Sequence, residues 1–207
     1  MDTNSNKEIS FKEISQLPGK LGKRSFSEIL VAVCDHSILP MQLSDRDDSK
    51  LLDTIKKAMD NFMKASRKSE TRYKASRANE AGSKMESAIV EEMKKTSLNP
   101  EKLGSSGYPD LCINLDGKTS YIELKTSAQK NKKGTHHRLF YFTSGKKIKM
   151  DAHHLLLQVQ IIEEVDKYWK VASWELRDLY NLKVGLKTEW NANQGDFDDA
   201  GLLVKGE

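Results

Sequence analysis

Gly107-Tyr-Pro-Asp-Leu-Cys-Ile-Asn-Leu-Asp-Gly-Lys-Thr-Ser-Tyr-Ile-Glu-Leu-Lys-Thr-Ser127 is the stretch on which the reading of this chain turns. Two runs rich in β-branched and aliphatic residues flank Asp116-Gly117, a strong short-range signal for a two-residue hairpin. With that turn, Leu115 pairs with Lys118, and Asp110 falls directly opposite Glu123. Opposed Cβ atoms on one sheet face lie roughly 4.5–5.5 Å apart. Two carboxylates are therefore expected at a spacing that one metal ion can bridge.

The alternation agrees with this register. Asp110, Cys112 and Asn114 share a face with Thr119, Tyr121, Glu123 and Lys125, while Leu111, Ile113 and Leu115 share the other with Ile122 and Leu124. A slip of one residue in either strand would bury an acid and expose a leucine. Two acids and a lysine on one face also describe an ordinary salt-bridged surface. The acid just after a Pro, the Asp-Gly turn and the Glu-x-Lys falling in place together favour a site.

Pro109-Asp110, twelve intervening residues and then Glu123-Leu124-Lys125 resemble the signature of the PD-(D/E)xK nuclease superfamily. That group holds most type II restriction endonucleases, along with junction resolvases and repair nucleases. The resemblance implies an α/β, restriction-endonuclease-like core: a mixed β-sheet with a catalytic β-hairpin flanked by α-helices, here with an added N-terminal helical region. It implies Mg²⁺ as cofactor, with Asp110 and Glu123 as carboxylate ligands, the Leu124 carbonyl as a third oxygen, and Lys125 beside them as a catalytic group. Many members place an acid on the helix before the hairpin. Gly82-Ser-Lys-Met-Glu86 is similar to that arrangement, which makes Glu86 a further catalytic candidate; a boundary glutamate is the plainer reading.

Composition sets the class of partner. The 207-residue chain fits one domain, with 31% charged residues and a mean hydropathy of −0.65. No apolar run approaches the roughly 20 residues that span a bilayer, and Met1 to Lys7 is polar, unlike a signal peptide. Cys34 and Cys112 show no ligand spacing, so reduced thiols in a cytoplasmic protein are expected. The net charge is only +4, but its distribution is uneven. From Thr126 to Lys149 there are seven basic residues, two histidines and no acid, and from Lys64 to Lys84 seven basics face only Glu70 and Glu80. Basic segments on both sides of the hairpin suit double-stranded DNA. Ser127, Lys130, Asn131, Lys132, Lys133, His136, His137 and Arg138, just after the hairpin, are the candidate DNA contacts, since Arg reads guanine edges and Asn adenine edges.

Along the chain, residues 1–69 read as mostly helical, 70–190 as the catalytic core and 191–207 as an acidic tail. A short helix is expected over Ser10 to Leu17. Ser25 is expected to cap a helix over Phe26, Ile29, Leu30 and Val33, and Ser44 or Asp45 one burying Leu51, Leu52, Ile55, Met59, Phe62 and Met63. A long helix is expected from about Glu70 to Thr96, stopped by Asn99-Pro100, with Ala78, Ala81, Met85, Ala88 and Ile89 on one face. Beyond the hairpin come a polar loop from Ser127 to His137, a strand over Arg138 to Thr143, a strand over His153 to Glu163, and an antiparallel return from Tyr168 to Trp174. Helical spacing is read from Trp174 to Leu182.

The leading expectation is a type II restriction enzyme: a Mg²⁺-dependent endonuclease cutting duplex DNA at a specific sequence. One site per chain makes a homodimer the economical arrangement, and a companion DNA methyltransferase is a natural partner. Alternatives are a structure-specific nuclease of repair or recombination, such as a junction resolvase or nicking enzyme, and a non-catalytic DNA-binding module. A basic RNA- or protein-binding module is a further one. A Gly-rich phosphate loop, His-Glu-x-x-His and Cys-x-x-Cys are all missing from the sequence, and adjacent histidines on a strand point to opposite faces, so zinc chemistry is not favoured.

Overall fold

The Asp116-Gly117 turn closes as its residue types demand. Both positions take left-handed backbone angles, φ 51° and 83°, the twist that two-residue hairpins require. In the computed structural model, which describes Gln16 and residues 21–69, 71–104, 107–128, 142 and 145–186, the turn joins two antiparallel strands of a six-stranded mixed sheet. In chain order the strands are β1 (Lys23–Ser25), β2 (Tyr73–Lys74), β3 (Glu101–Lys102), β4 (Leu111–Leu115), β5 (Lys118–Ala128), β6 (His153–Glu163), β7 (Tyr168–Asp178) and β8 (Lys183–Gly185). The helices are α1 (Phe26–Cys34), α2 (Arg46–Lys68) and α3 (Ala78–Lys94).

The six-stranded sheet runs β2-β7-β6-β5-β4-β3. All its pairs are antiparallel except β5 with β6, which pair in parallel with Glu123 beside Leu156 and Lys125 beside Gln158. The hairpin register is the expected one: Leu115 faces Lys118 and Leu111 faces Ile122. Alternation then divides the sheet. Leu111, Ile113, Leu115, Ile122, Leu155, Leu157, Val159 and Ile161 are all buried against the apolar stripes of α2 and α3, which include Leu51, Ile55, Met59, Phe62, Ala81, Met85 and Ile89. The other face carries Asp110, Tyr121, Glu123, Lys125, His154 and Gln158.

Caps and close approaches explain how the helices settle. Asp45 caps α2 by accepting from the Asp47 and Asp48 amides. Gly82 brings α3 against β5: a Cβ there would stand 2.7 Å from Thr126 Oγ1 and 2.8 Å from Thr126 Cβ. α1 buries Phe26 and Leu30, whereas Val33, expected inside, is 52% exposed. At about 100° per residue Val33 falls on the same stripe as Phe26 and Leu30, but it sits in the last turn of the helix, which ends at Cys34.

Three expectations about element bounds are corrected. The helix before the hairpin begins at Ala78 rather than Glu70, because Tyr73 and Lys74 pair with Trp169 and Tyr168 as an edge strand. It stops at Lys94, where the Lys95 and Thr96 amides turn back onto Glu92 and Met93 carbonyls, well before Asn99-Pro100. The segment from Trp174 is strand and not helix: β7 continues to Asp178, placing Trp174, Leu176 and Asp178 beside Val159, Leu157 and Leu155. Leu176, Leu179 and Tyr180 do have helical spacing, but the open edge of β6 supplies a ladder of hydrogen bonds that a short local helix cannot match. β5 also extends through Ser127 to Ala128, where a loop was expected.

The chain divides into two compact units, Ser25–Leu182 and a second made of Met1–Arg24 with Lys183–Glu207. Among the described residues, Lys23 and Arg24 of β1 and all of β8 belong to the second unit. The expected helix over residues 10–17 (Gln16 apart), strand over 138–143 (Phe142 apart) and acidic tail lie outside the described residues. Among the described residues no helix is long and apolar enough to cross a membrane.

Candidate active site

Asp110 stands one residue ahead of β4 and is held there by the backbone. Its amide donates to the Ile122 carbonyl at 3.1 Å, and its own carbonyl accepts from the Leu103 amide at 2.9 Å. Because Leu111 pairs with Ile122, Asp110 comes level with Glu123 on the next strand. One carboxylate oxygen, Oδ2, accepts from the Leu124 amide at 2.7 Å.

Glu123 is 3% exposed, unusual for an acid in the middle of a sheet. Lys125, two residues on and facing the same way, places its Nζ 2.5 Å from Glu123 Oε1. The other oxygen, Oε2, is buried with no hydrogen-bond partner among the described residues. Burial is the main reason that the Glu123 carboxyl is pushed up to about 7; Lys125 works against the shift and the neighbouring Asp110 carboxylate adds to it.

The donor set fits a hard divalent cation. Two carboxylates stand level across the hairpin, and one buried oxygen lacks a hydrogen-bond partner among the described residues. Among the described residues no group of three or more His, Cys, Asp or Glu side chains converges. Mg²⁺ is commonly bound through one or two carboxylates, with waters and substrate phosphates completing its shell, so a pair suffices. Glu86 lies on α3, which covers the opposite, apolar face, and its carboxylate is 3.7 Å from Lys102 on β3. Ser127 is on β5, where its Oγ accepts from the Gln158 side-chain amide at 2.8 Å. Lys130, Asn131, Lys132, Lys133, His136, His137 and Arg138 lie outside the described residues.

A family model matches residues 21–198, and its description is the type II restriction enzyme MjaV family. The chain belongs to that family. Across nearly its whole length it is also similar to the type II restriction enzyme MjaV of Methanocaldococcus jannaschii, at 29% identity over 226 aligned positions, 99% of this chain and 97% of the relative. No solved structure matches the chain. Membership of the MjaV family gives the class, a restriction endonuclease, and on the hairpin Asp110 stands level with Glu123, which pairs with Lys125.

Sequence reasoning passed over two features around this hairpin. Tyr108 is buried, and its hydroxyl lies 2.6 Å from His154 Nδ1, with the two rings stacked at 5.8 Å. Burial pulls His154 down to about 3, so it stays neutral. Phe26 of α1 packs edge-on against both rings. Lys147 donates from Nζ to the Gly107 carbonyl at 2.7 Å and the Pro109 carbonyl at 3.0 Å. Both contacts join residues far apart in the chain, and neither leaves a local pattern.

Proposed function

We propose that this chain hydrolyses phosphodiester bonds of double-stranded DNA at a specific sequence, with Mg²⁺ held by Asp110, Glu123 and the Leu124 carbonyl. The observation that carries the reading is Glu123: a buried acid level with Asp110, paired to Lys125 through one oxygen and, among the described residues, without a hydrogen-bond partner at the other. Burying an ionisable group without full pairing is costly, and a resident divalent cation accounts for it. When bound, the ion lowers the pKa of attacking water and draws charge from the phosphoryl oxygens. Asp110 and Glu123 supply oxygens from two strands whose backbones are already fixed. Lys125 orients the attacking water and offsets negative charge developing on the phosphate.

The same motif supports placement in the PD-(D/E)xK superfamily, with Glu86 an accessory acid and 1–207 acting as one nuclease domain. Ser127, Lys130, Asn131, Lys132, Lys133, His136, His137 and Arg138 then contact DNA, the basics countering the repulsion that two acids exert on phosphates. A cytoplasmic homodimer with one active site for each DNA strand, and a companion methyltransferase that shields the host's own DNA sites, complete the reading. The test is incubation with long duplex DNA in Mg²⁺ or EDTA, beside Glu123→Ala. Discrete fragments that need Mg²⁺ and vanish in the variant are expected. Cleavage of branched DNA alone would replace this reading with a structure-specific nuclease, and tight metal-independent binding without cleavage would sink catalysis.

A further inference from the structure

We propose that Lys147 is a positioning residue for Asp110: its ammonium clamps the loop from Gly107 to Asp110 and so sets where the Asp110 carboxylate stands against Glu123. The inference rests on the reading of those two acids as the metal-holding pair. Lys147 lies in a basic run, where a lysine usually faces solvent or phosphate. Here its Nζ is turned onto two neutral carbonyls, those of Gly107 and Pro109, which bracket Tyr108. The second belongs to the residue immediately before Asp110.

The base of the clamp is itself fixed. Gly145 packs on α1 so closely that a Cβ would stand 2.4 Å from Cys34 Cβ. The Ile148 amide closes a turn on the Gly145 carbonyl at 2.9 Å, and the Ile148 side chain is buried. The Lys149 amide donates to the Tyr121 hydroxyl at 2.9 Å, tying the segment to β5 two residues before Glu123. On the far side of the loop, Tyr108 is buried with its hydroxyl on His154. The loop is thus gripped between a charged donor and a buried ring. Hydrogen bonds from a charged donor are about twice as strong as neutral ones, and losing a group that orients a metal ligand typically costs about 10–100-fold in metal affinity.

The experiment compares wild type with Lys147→Met, Lys147→Arg and Glu123→Ala. Mn²⁺ binding to the DNA-free protein is read by electron paramagnetic resonance, and single-turnover DNA cleavage is read against Mg²⁺ concentration. Lys147→Met is expected to raise the Mn²⁺ midpoint and lower cleavage at limiting Mg²⁺ by about 10–100-fold, with metal-free DNA affinity retained. Lys147→Arg, which keeps a charged donor, should recover most of both, and it remains informative if the methionine variant does not fold. Wild-type Mn²⁺ binding and cleavage in a folded Lys147→Met would overturn the clamp. So would an unchanged metal midpoint with weakened DNA binding, which would make Lys147 a phosphate contact. If Glu123→Ala leaves Mn²⁺ binding intact, the metal-site reading itself fails and the clamp with it. If Glu123→Ala loses binding and neither Lys147 variant does, only the clamp fails.

Discussion

At Glu123 two demands on one side chain meet: burial favours the neutral acid, and the neighbouring lysine favours the anion. The pairing with Lys125 and the level placement of Asp110 make the three groups one unit. Asp110→Asn, Glu123→Ala and Lys125→Met are each expected to slow single-turnover cleavage by at least about 10²-fold. Double variants should lose little more than the singles; additive losses would show that the groups act separately. His154 supports a second expectation, on stability. Its folded value is lowered to about 3 from an ordinary 6.5, so the unfolded chain takes up the proton first on acidification. Its contribution is complete above about pH 6.5 and is lost progressively towards pH 3, with a slope approaching about 1.4 kcal/mol per pH unit. Glu123, with its folded value raised, contributes in the opposite sense between its ordinary 4.5 and about 7, so the comparison must be by difference. Urea unfolding of wild type and His154→Phe across this range should show a shallower acid loss in the variant; parallel curves would remove His154 as the cause.

Among the elements, the hairpin was legible in the sequence because every signal for it is local: an Asp-Gly turn, alternation on both sides, and a register fixed by which residues must be inside. The same reasoning found β6 and the stripe of α2. It failed where a distant partner decides the outcome. Tyr73 and Lys74 look like the start of a helix until Trp169 and Tyr168 are beside them, and Trp174 to Asp178 becomes strand only because β6 offers an edge. Gly82 was readable as part of a Gly-x-x-x-Glu pattern, but its contact with Thr126 was not. That contact gives an element-scale expectation. Gly82→Ala must push α3 off β5, since the obstacle includes the Thr126 Cβ and not merely a flexible tip. Overpacking of this kind costs roughly 1–3 kcal/mol, read as a lower urea midpoint with an unchanged m-value. A variant as stable as wild type would mean that the helix can shift freely.

For the whole molecule, what the sequence carried was the uneven charge and the level placement of the hairpin acids; what it could not carry was the contact made by Lys147, hidden as one cation among seven. Two chains are needed to cut both strands if each holds one site, so sedimentation at working concentration should give twice the 23.5 kDa chain mass. A monomer that still makes double-strand breaks would oppose this. The parallel pairing of β5 with β6 has a consequence for how the molecule comes into being. Asp110 and Glu123 sit on one hairpin and can meet as soon as that short segment leaves the ribosome. Their neighbour strand, the lysine clamp and the His154 ring are all encoded later, and Ser120 finds His153 only after a long stretch of chain has been made. Long-range parallel pairing of this kind is intrinsically slower to form than local structure. The nascent chain therefore brings Asp110 and Glu123 level early and completes their surroundings only once β6 has been made.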